Sequence, residues 1–203
     1  MAQPGYWDEV YRRLAATDVS WFQPEPTVSL ELIAMATVAP YDPIVDVGGG
    51  ASVLVDRLLD AGHQDVSVLD VAADVLDLAR QRLGLRGDRV DWIMHDLLTW
   101  RPDRQYRVWH DRAVFHFLTE RSDRDRYRAV LRQALAKDGR VVIATFAADG
   151  PTSCSGLPTT RYSADELAGQ FPELKLVKST REEHRTPAAH IQPFTWLLMA
   201  ARE

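Results

Sequence analysis

The stretch PIVDVGGGASVLVDRLLDAG, residues 43–62, decides the fold of this 203-residue chain. Its first part is a short apolar run that predicts a buried strand, and three consecutive glycines end that run. Its second part has the apolar spacing of a helix, which Gly62 closes. A glycine turn between a strand and a helix lets the backbone approach a ligand at the helix N-terminus. The stretch therefore predicts an α/β fold with a ligand site at this turn.

Strand and helix patterns alternate from about residue 40 onward, which favours a doubly wound, mostly parallel sheet with helices on both faces. Further strands are predicted at DVSVLDVA, RVDWIMHDLL, YRVWHDRAVF and GRVVIATFA. Helices are predicted at ADVLDLARQRLG, at RDRYRAVLRQALAKDG up to Gly139, and after the cap residue Ser163. The C-terminal segments KLVKSTREEH and FTWLLMA predict an antiparallel hairpin that covers the sheet edge.

Length, composition and charge narrow the class of protein. A chain of 203 residues, 46% apolar and 26% charged, is typical of one globular domain, here 1–203, with residues 1–40 as an N-terminal helical lid. The net charge of -5 argues against nucleic acid as a partner. No run is apolar and long enough for a signal peptide or a membrane span, and a single cysteine fits a reducing compartment. We expect a cytoplasmic protein, a monomer or a homodimer, that does not bind membranes.

The glycine turn is not that of a dinucleotide-binding protein. Counting from Gly48 gives glycine at the first and third positions but Val53 at the sixth. A P-loop is excluded because no Lys-Ser/Thr pair follows the glycines. Asp46 places a carboxylate two residues before the turn, where it would repel a pyrophosphate but could hold an ammonium group. The ligand is therefore expected to carry positive charge near the turn.

Two further carboxylates follow strands and complete a predicted adenosine site. Asp70 lies about twenty residues beyond the turn, where an α/β nucleotide fold places the acceptor for ribose hydroxyls. Asp96 could accept from an adenine amino group while Val71 and Leu97 pack on its faces. Either acid alone could equally be a helix N-cap. Together with the turn they favour an adenosine ligand with a positively charged tail, a description that S-adenosylmethionine fits.

The runs IVDVGGGAS, VSVLDVA, DWIMHDLL and WHDRAVFHFL resemble, in this order, the motif set of class I S-adenosylmethionine-dependent methyltransferases. The segments WHDRAVFHFLT, GPTSCSGLPTTRYS and EEHRTPAAHIQPF resemble a group of small, mostly bacterial members, so the resemblance covers nearly the whole chain. It implies a seven-stranded class I methyltransferase fold, S-adenosyl-L-methionine as cofactor and S-adenosyl-L-homocysteine as product.

The same resemblance assigns the cofactor site residue by residue. The methionine end is expected against Asp46, Gly48, Gly49 and Gly50, the ribose at Asp70, and the adenine at Val71, Asp96 and Leu97. The chain departs from the family pattern at Ser52 and Ala189, where glycine is usual or expected.

The stretch WHDRAVFHFL, residues 109–118, raises a choice between a metal site and a catalytic site. Strand alternation sends His110 and Asp111 to opposite faces, and no HxxxH or CxxC spacing supports a metal. The resemblance implies that Asp111 and Arg112 lie beside the methyl donor, where Arg112 pairs with the methionine carboxylate or with Asp111. His116 is the candidate base, and its alternative is a buried histidine that hydrogen-bonds the backbone.

Candidate acceptor-binding residues come from the segments added to the core. Trp21 and Phe22, in a loop between prolines, are lid candidates, whereas Trp7 and Tyr11 at helical spacing favour an anchoring role. The substrate candidates are Trp21, Phe22, Phe115, Arg161 and His184. Cys154 is expected to pack or to line the pocket rather than act as a nucleophile.

The function predicted is methyl transfer to a small-molecule nucleophile, such as a thiol or another soft acceptor, by in-line displacement. Two alternatives stay open: a protein-lysine methyltransferase, and a cofactor-binding protein that does not catalyse. The acidic balance and the lack of an NPPY-like motif after the fourth strand argue against RNA methylation.

Overall fold

The computed structural model describes residues 5–202, so the first four residues of the predicted lid lie outside it. Within this range the strands are β1 (Ile44–Val47), β2 (Val66–Asp70), β3 (Val90–Met94), β4 (Tyr106–Arg112), β5 (Leu135–Phe146), β6 (Ser153–Cys154), β7 (Leu157–Pro158), β8 (Leu174–Arg185) and β9 (Ile191–Ala201). The α-helices are α1 (Tyr6–Arg13), α2 (Thr27–Ala36), α3 (Leu54–Asp60), α4 (Ala73–Leu83), α5 (Arg121–Ala134) and α6 (Ala164–Ala168). Turns of 3-10 helix cover Gly84–Arg89 and Phe115–Phe117.

Seven of these strands form one sheet in the order β3-β2-β1-β4-β5-β9-β8. Neighbours from β3 to β5 are parallel, whereas β9 is antiparallel to both β5 and β8. The order reverses between β1 and β4, which opens a crevice at the carboxyl ends of these two strands. The doubly wound sheet and its C-terminal hairpin are as predicted.

Alternate residues of the central strands point to opposite faces of the sheet, and each face has its own helices. On one face, Val45 and Trp109 lie in a buried cluster with side chains of α5 and α6. On the other, Ile44 and Val108 lie in a cluster with α2, α3 and α4. Asp46 shares the face of Ile44, so the strand pairing that sets it opposite His110 also buries it.

Helix α5 ends earlier than the sequence predicts. Its last residue is Ala134, five residues before Gly139, because Leu135 already pairs with Tyr106 of β4. The Leu135 side chain folds over Gly139, where a Cβ would lie 2.7 Å from Leu135 Cδ1. A long-range contact therefore sets this boundary, against the local helical pattern.

The β8–β9 hairpin explains why glycine is expected at position 189. Ala189 lies in the connecting turn with φ 62°, a left-handed conformation that glycine adopts at lower cost. Its N–H donates to the Thr186 carbonyl at 2.8 Å, so alanine is accommodated in that conformation. The predicted cap is also confirmed, since Ser163 and Glu166 form a capping box at α6. Across residues 5–202, none of the helices is both long and apolar enough to cross a bilayer.

Candidate functional site

A cleft of about 920 Å³, partly open to solvent, lies at the carboxyl ends of β1, β2 and β4. Its floor is the glycine turn after β1, and its roof is formed by Trp7 and Tyr11 of α1 with Trp21 of the following loop. A smaller space of about 510 Å³ adjoins it under the same loop, and Gly48, Tyr11, Trp21 and Arg112 line both. The strand order thus places the predicted ligand site in a covered crevice.

The glycine turn has no room for side chains. Gly48 and Gly50 have φ values of 67° and 47°, which non-glycine residues rarely adopt. A Cβ on Gly48 would lie 2.2 Å from Val114 Cγ2, and one on Gly49 would lie 2.6 Å from Asp46 Oδ2. These three glycines therefore keep the backbone at the base of the cleft bare and close to Asp46, as a cradle for a ligand requires.

Asp70 ends β2 and lines the cleft. Its Oδ1 accepts from the N–H of Ala72 at 2.9 Å, while a Cβ on Gly50 would lie only 3.1 Å from Oδ2. Burial raises the pKa of Asp70 to about 6. Burial and the nearby Asp70 also raise the pKa of Tyr11, whose hydroxyl accepts from Trp21 Nε1 at 3.1 Å. The Asp70 carboxylate is therefore an acceptor between the glycine turn and the roof.

The residues predicted to contact adenine divide into those that line the cleft and one that does not. Val71 and Leu97 line the cleft, together with His95. Asp96 is not part of the lining, and its Oδ1 accepts from the N–H of Leu98 at 2.9 Å. The carboxylate thus caps a turn and not a helix, and a contact with adenine stays a prediction.

Asp46 is held by a buried hydrogen-bonded chain that the sequence did not reveal. His110 Nδ1 lies 2.7 Å from Asp46 Oδ1, and His110 Nε2 lies 3.0 Å from Ser29 Oγ of α2. All three side chains are buried and line the smaller space. This chain fixes the carboxylate below the turn and ties α2 to the sheet.

Arg112 ends β4 with half of its guanidinium unpaired. Nη1 donates to the Trp21 carbonyl at 2.9 Å, and Cζ lies 4.6 Å from the centroid of the Phe194 ring. Nε and Nη2 are buried and find no hydrogen-bond partner among residues 5–202. Burial lowers the pKa of Arg112 to about 10, so the group stays charged at neutral pH.

Asp111 does not reach the cleft, which corrects both its catalytic role and its pairing with Arg112. The side chain is fully buried on the opposite face, as strand alternation predicted. Its Oδ2 accepts from the Tyr127 hydroxyl at 2.7 Å and its Oδ1 from the N–H of Val114 at 2.9 Å. Burial raises its pKa to about 6. Asp111 therefore holds the turn after β4 in place.

We predict that Asp111→Ala lowers the free energy of unfolding by about 2–4 kcal/mol, since buried donors lose their acceptor. Asp111→Asn retains an acceptor and should cost less. Because the folded carboxyl keeps its proton up to about pH 6, the wild type should lose stability relative to Asp111→Asn as pH rises from about 4 to 6. Urea denaturation at both pH values measures this, and a catalytic Asp111 would instead give a stable, inactive Asn variant.

His116 lies in the turn after β4, fully buried and outside the cleft lining. Its Nδ1 accepts from the N–H of Phe146 at 3.4 Å, while Nε2 has no partner among the described residues. Burial and the charge of Arg112 lower its pKa to about 3. The geometry supports the alternative considered from the sequence, a neutral buried histidine bonded to the backbone, and not a base.

Three of the five substrate candidates lie away from the cleft, and these predictions are corrected. Phe115 is fully buried against Tyr127 and Phe171 in the core. Arg161 is exposed and donates to the Gly150 carbonyl at 3.3 Å. His184 lies 2.8 Å from the Ser20 carbonyl, and burial lowers its pKa. Of the remaining two, Trp21 lines both spaces and Phe22 lines the smaller one.

Several cleft residues were missed because they lie on separate elements. Trp7 and Tyr11, expected as anchors, line the cleft, and Trp7 packs edge-on against Phe117 at 5.3 Å. The C-terminal half adds Phe146, Gln192 and Phe194 to the wall, together with Cys154, which was expected to pack or to line the pocket. The aromatic composition of the N-terminal segment hinted at the roof of the site. Among residues 5–202, His, Cys, Asp and Glu side chains do not form a metal-binding group of three or more.

Comparison with known proteins relates residues 44–139 to the family described as "Methyltransferase domain". The chain is 25% identical to the eEF1A lysine and N-terminal methyltransferase of Mus musculus over 140 residues, 68% of its own length. It spans 19% of that relative's length.

Solved structures share the fold over nearly the whole chain. The N-methyltransferase NodS from Bradyrhizobium japonicum WM9, in complex with S-adenosyl-L-homocysteine, superposes with a TM-score of 0.76 at 17% identity, covering 99% of this chain and 100% of that one. The Burkholderia thailandensis 1,6-didemethyltoxoflavin-N1-methyltransferase, with bound 1,6-didemethyltoxoflavin and S-adenosylhomocysteine, gives 0.71 at 21% identity over 100% and 92%. The predicted class I methyltransferase fold is confirmed.

Proposed function

We propose that this chain is an S-adenosylmethionine-dependent methyltransferase that transfers a methyl group to a small-molecule nucleophile held at the aromatic end of its cleft. One observation carries the proposal. The glycine turn and Asp70, which suit the donor, and the aromatic walls from Trp7 to Phe194, which suit an acceptor, bound a single cleft of about 920 Å³. A covered cleft with mostly apolar and aromatic walls and a few polar groups is typical of small-molecule sites, so a cleft shared by two reactants suits a small acceptor.

The residues present fit the donor. The bare glycine turn, in which any Cβ on Gly48 or Gly49 would clash, leaves backbone available to the methionine part. Asp70 would accept from the ribose hydroxyls, and Val71 and Leu97 would pack on the adenine. When bound, S-adenosylmethionine supplies a methyl group on a sulfonium, ready for in-line displacement by a nucleophile. Two carboxylates near the turn, Asp46 and Asp70, suit its positive charge.

The chain contributes alignment and exclusion of water more than proton transfer. Asp111 and His116, the two candidate catalytic residues, both lie outside the cleft lining. The roof residues Trp7, Tyr11 and Trp21 form a contiguous edge-to-face cluster, with ring centroids 5.8 and 5.9 Å from Trp21. A desolvated, aligned acceptor that needs no general base, such as a thiolate or another soft nucleophile, suits this arrangement.

Protein-lysine methylation is the second candidate. The observation that favours it is the 25% identity with the eEF1A lysine and N-terminal methyltransferase of Mus musculus. The covered cleft argues for the small acceptor, because a protein-bound lysine would have to enter beneath α1.

The decisive experiment is a screen for S-adenosylhomocysteine formation with pooled thiols, amines, phenols and carboxylic acids, and with lysine-containing peptides. We expect turnover with one small-molecule pool and none with the peptides. Asp70→Asn protein, assayed at a donor concentration too low for it to bind, provides the background rate. Turnover on the peptides alone would replace the small-molecule assignment by the lysine one.

We predict that His116→Asn retains the pH profile of turnover between pH 5 and 9 on the acceptor that the screen identifies. A group whose pKa lies near 3 does not change charge in this range, and asparagine can still accept from the Phe146 N–H. Steady-state kinetics across this range provide the measurement. A drop of about 100-fold or more, with loss of the acidic limb of the profile, would restore His116 as the base.

A further inference from the structure

The unpaired edge of Arg112 is a charged feature of the cleft wall that the proposed function leaves unused. In a guanidinium, Nε–H and one N–H of Nη2 point in the same direction and form a fork that matches the two oxygens of a carboxylate. These are the two nitrogens without a partner among residues 5–202, while Nη1 is held by the Trp21 carbonyl. The backbone bond and the Phe194 ring therefore fix the guanidinium and leave its two-pronged edge free.

Leaving this edge unpaired is costly. A buried charge with unsatisfied donors destabilises a fold, and neither Glu182 nor Asp46 forms an ion pair with Arg112. His116 and His184 lie close enough for the charge of Arg112 to lower their pKa values, while Glu182 and Asp46 act on Arg112 from a distance without an ion pair. A side chain that costs stability where it lines both spaces is best explained by a partner that arrives with a ligand.

We propose that the Nε–Nη2 edge of Arg112 is a carboxylate-binding site of the reaction cleft, an inference that rests on the proposed function for the identity of the two reactants. The carboxylate could come from the methionine part of the donor or from the acceptor. The surroundings favour the acceptor. Phe194 beneath the guanidinium, Gln192 with its buried and unpartnered Oε1, and Cys154 line the main cleft and not the smaller space beside the glycine turn. The acceptor is then a small acid with an apolar or aromatic body.

Calorimetry distinguishes the two sources without turnover. The ligands are S-adenosylhomocysteine, 5′-methylthioadenosine, which lacks the amino-acid part, and benzoate or cinnamate added to protein loaded with S-adenosylhomocysteine. If the acceptor supplies the carboxylate, Arg112→Gln should weaken benzoate or cinnamate at least about 10-fold and change both nucleosides less than about twofold. If the donor supplies it, Arg112→Gln should weaken S-adenosylhomocysteine by about 10- to 100-fold and leave 5′-methylthioadenosine unchanged.

Matched variants separate the fork from the charge and from general damage. Arg112→Lys keeps the charge without the fork and should recover only part of the lost affinity. Arg132→Gln, the same change at an exposed position of α5, should leave all affinities unchanged. Arg112→Met should melt within about 2 °C of the wild type or higher, because it removes an unpaired buried charge.

If Arg112→Gln binds every ligand as tightly as the wild-type protein does, the proposed carboxylate site is wrong. The same holds if neither S-adenosylhomocysteine nor the added carboxylates bind more tightly to the wild-type protein than to this variant. A fall of several degrees in the melting temperature of Arg112→Met also overturns it, since Arg112 would then be a structural cation. Neither result depends on methyl transfer. Absence of turnover in the acceptor screen would count against the proposed function and leave the binding results to be judged by themselves.

Discussion

Asp70→Asn is expected to weaken binding of S-adenosylmethionine and S-adenosylhomocysteine by about 100-fold. The carboxylate is placed to accept from ribose hydroxyls, and hydrogen bonds to a charged group are worth about 1.5–3 kcal/mol each. An asparagine has one acceptor oxygen and no charge, and it presents its amide to the second hydroxyl. Calorimetry at pH 8 measures the loss. Asp77→Asn on the exposed face of α4 is the matched control and should bind as the wild type.

The pH dependence gives the same prediction a second readout. Burial raises the pKa of Asp70 to about 6, so the free carboxyl gains a proton as pH falls through that value. Because the ligand prefers the ionised form, wild-type affinity should be constant above pH 7 and fall by up to about tenfold per pH unit below 6. The Asn variant should show no such slope from this site. If Asp70→Asn binds the donor as tightly as the wild-type protein does, another residue must bind the ribose.

Gly48→Ala is expected to lower the free energy of unfolding by about 2–4 kcal/mol and to abolish donor binding. The residue has φ 67°, which costs a side chain about 1–2 kcal/mol, and its Cβ would lie 2.2 Å from Val114 Cγ2. Overpacking of this kind typically adds about 1–3 kcal/mol. The new methyl group must displace the turn after β4 or the glycine turn itself, and either movement alters the base of the cleft.

Two comparisons separate the cost of the left-handed backbone conformation from the cost of the contact with Val114. Gly62 has φ 91° with open space around its Cβ position, so Gly62→Ala reports the conformational cost alone, about 1 kcal/mol. A double-mutant cycle of Gly48→Ala with Val114→Ala removes the clash and should recover the difference. Chemical denaturation gives the four free energies. Equal costs for Gly48→Ala and Gly62→Ala would show that Val114 does not restrict the turn.

Local patterns predicted the parts of the site that lie on strands. Period-two alternation is a property of the backbone, so it separated His110 from Asp111 before any contact was known. The glycine turn and Asp70 were found for the same reason, because a strand end fixes their place. What local patterns could not give is the partner of each side chain. The pairing of Asp46 with His110 joins residues 64 positions apart.

The errors arise where the side chain's surroundings come from distant parts of the chain. Phe115 lies in the turn after β4, Arg161 in a loop and His184 within β8, and sequence alone does not state which of them faces the cleft. The burial of Phe115, for example, depends on α6, which follows later in the chain. Tyr11 was underestimated for the opposite reason. Its helical spacing already accounts for an aromatic side chain that anchors the helix. The sequence therefore carries no further signal that the same side chain also forms the roof of the cleft.

Helix α1 covers the cleft but contributes no fully buried side chain to the protein. Its contacts are mainly ring edges, two hydrogen bonds (from the Tyr6 hydroxyl to the Ser155 carbonyl and from Trp21 Nε1 to the Tyr11 hydroxyl) and an exposed ion pair of Arg12 with Asp74. Such a segment can detach at a small fraction of the free energy that unfolds the sheet. Reactants can thus enter and leave the cleft while the two hydrophobic clusters on the faces of the sheet stay intact. The rate of product release can therefore change without a change in thermal stability. We therefore expect substitutions in α1 to change the rate of product release, and substitutions in β1 to change whether the site forms at all.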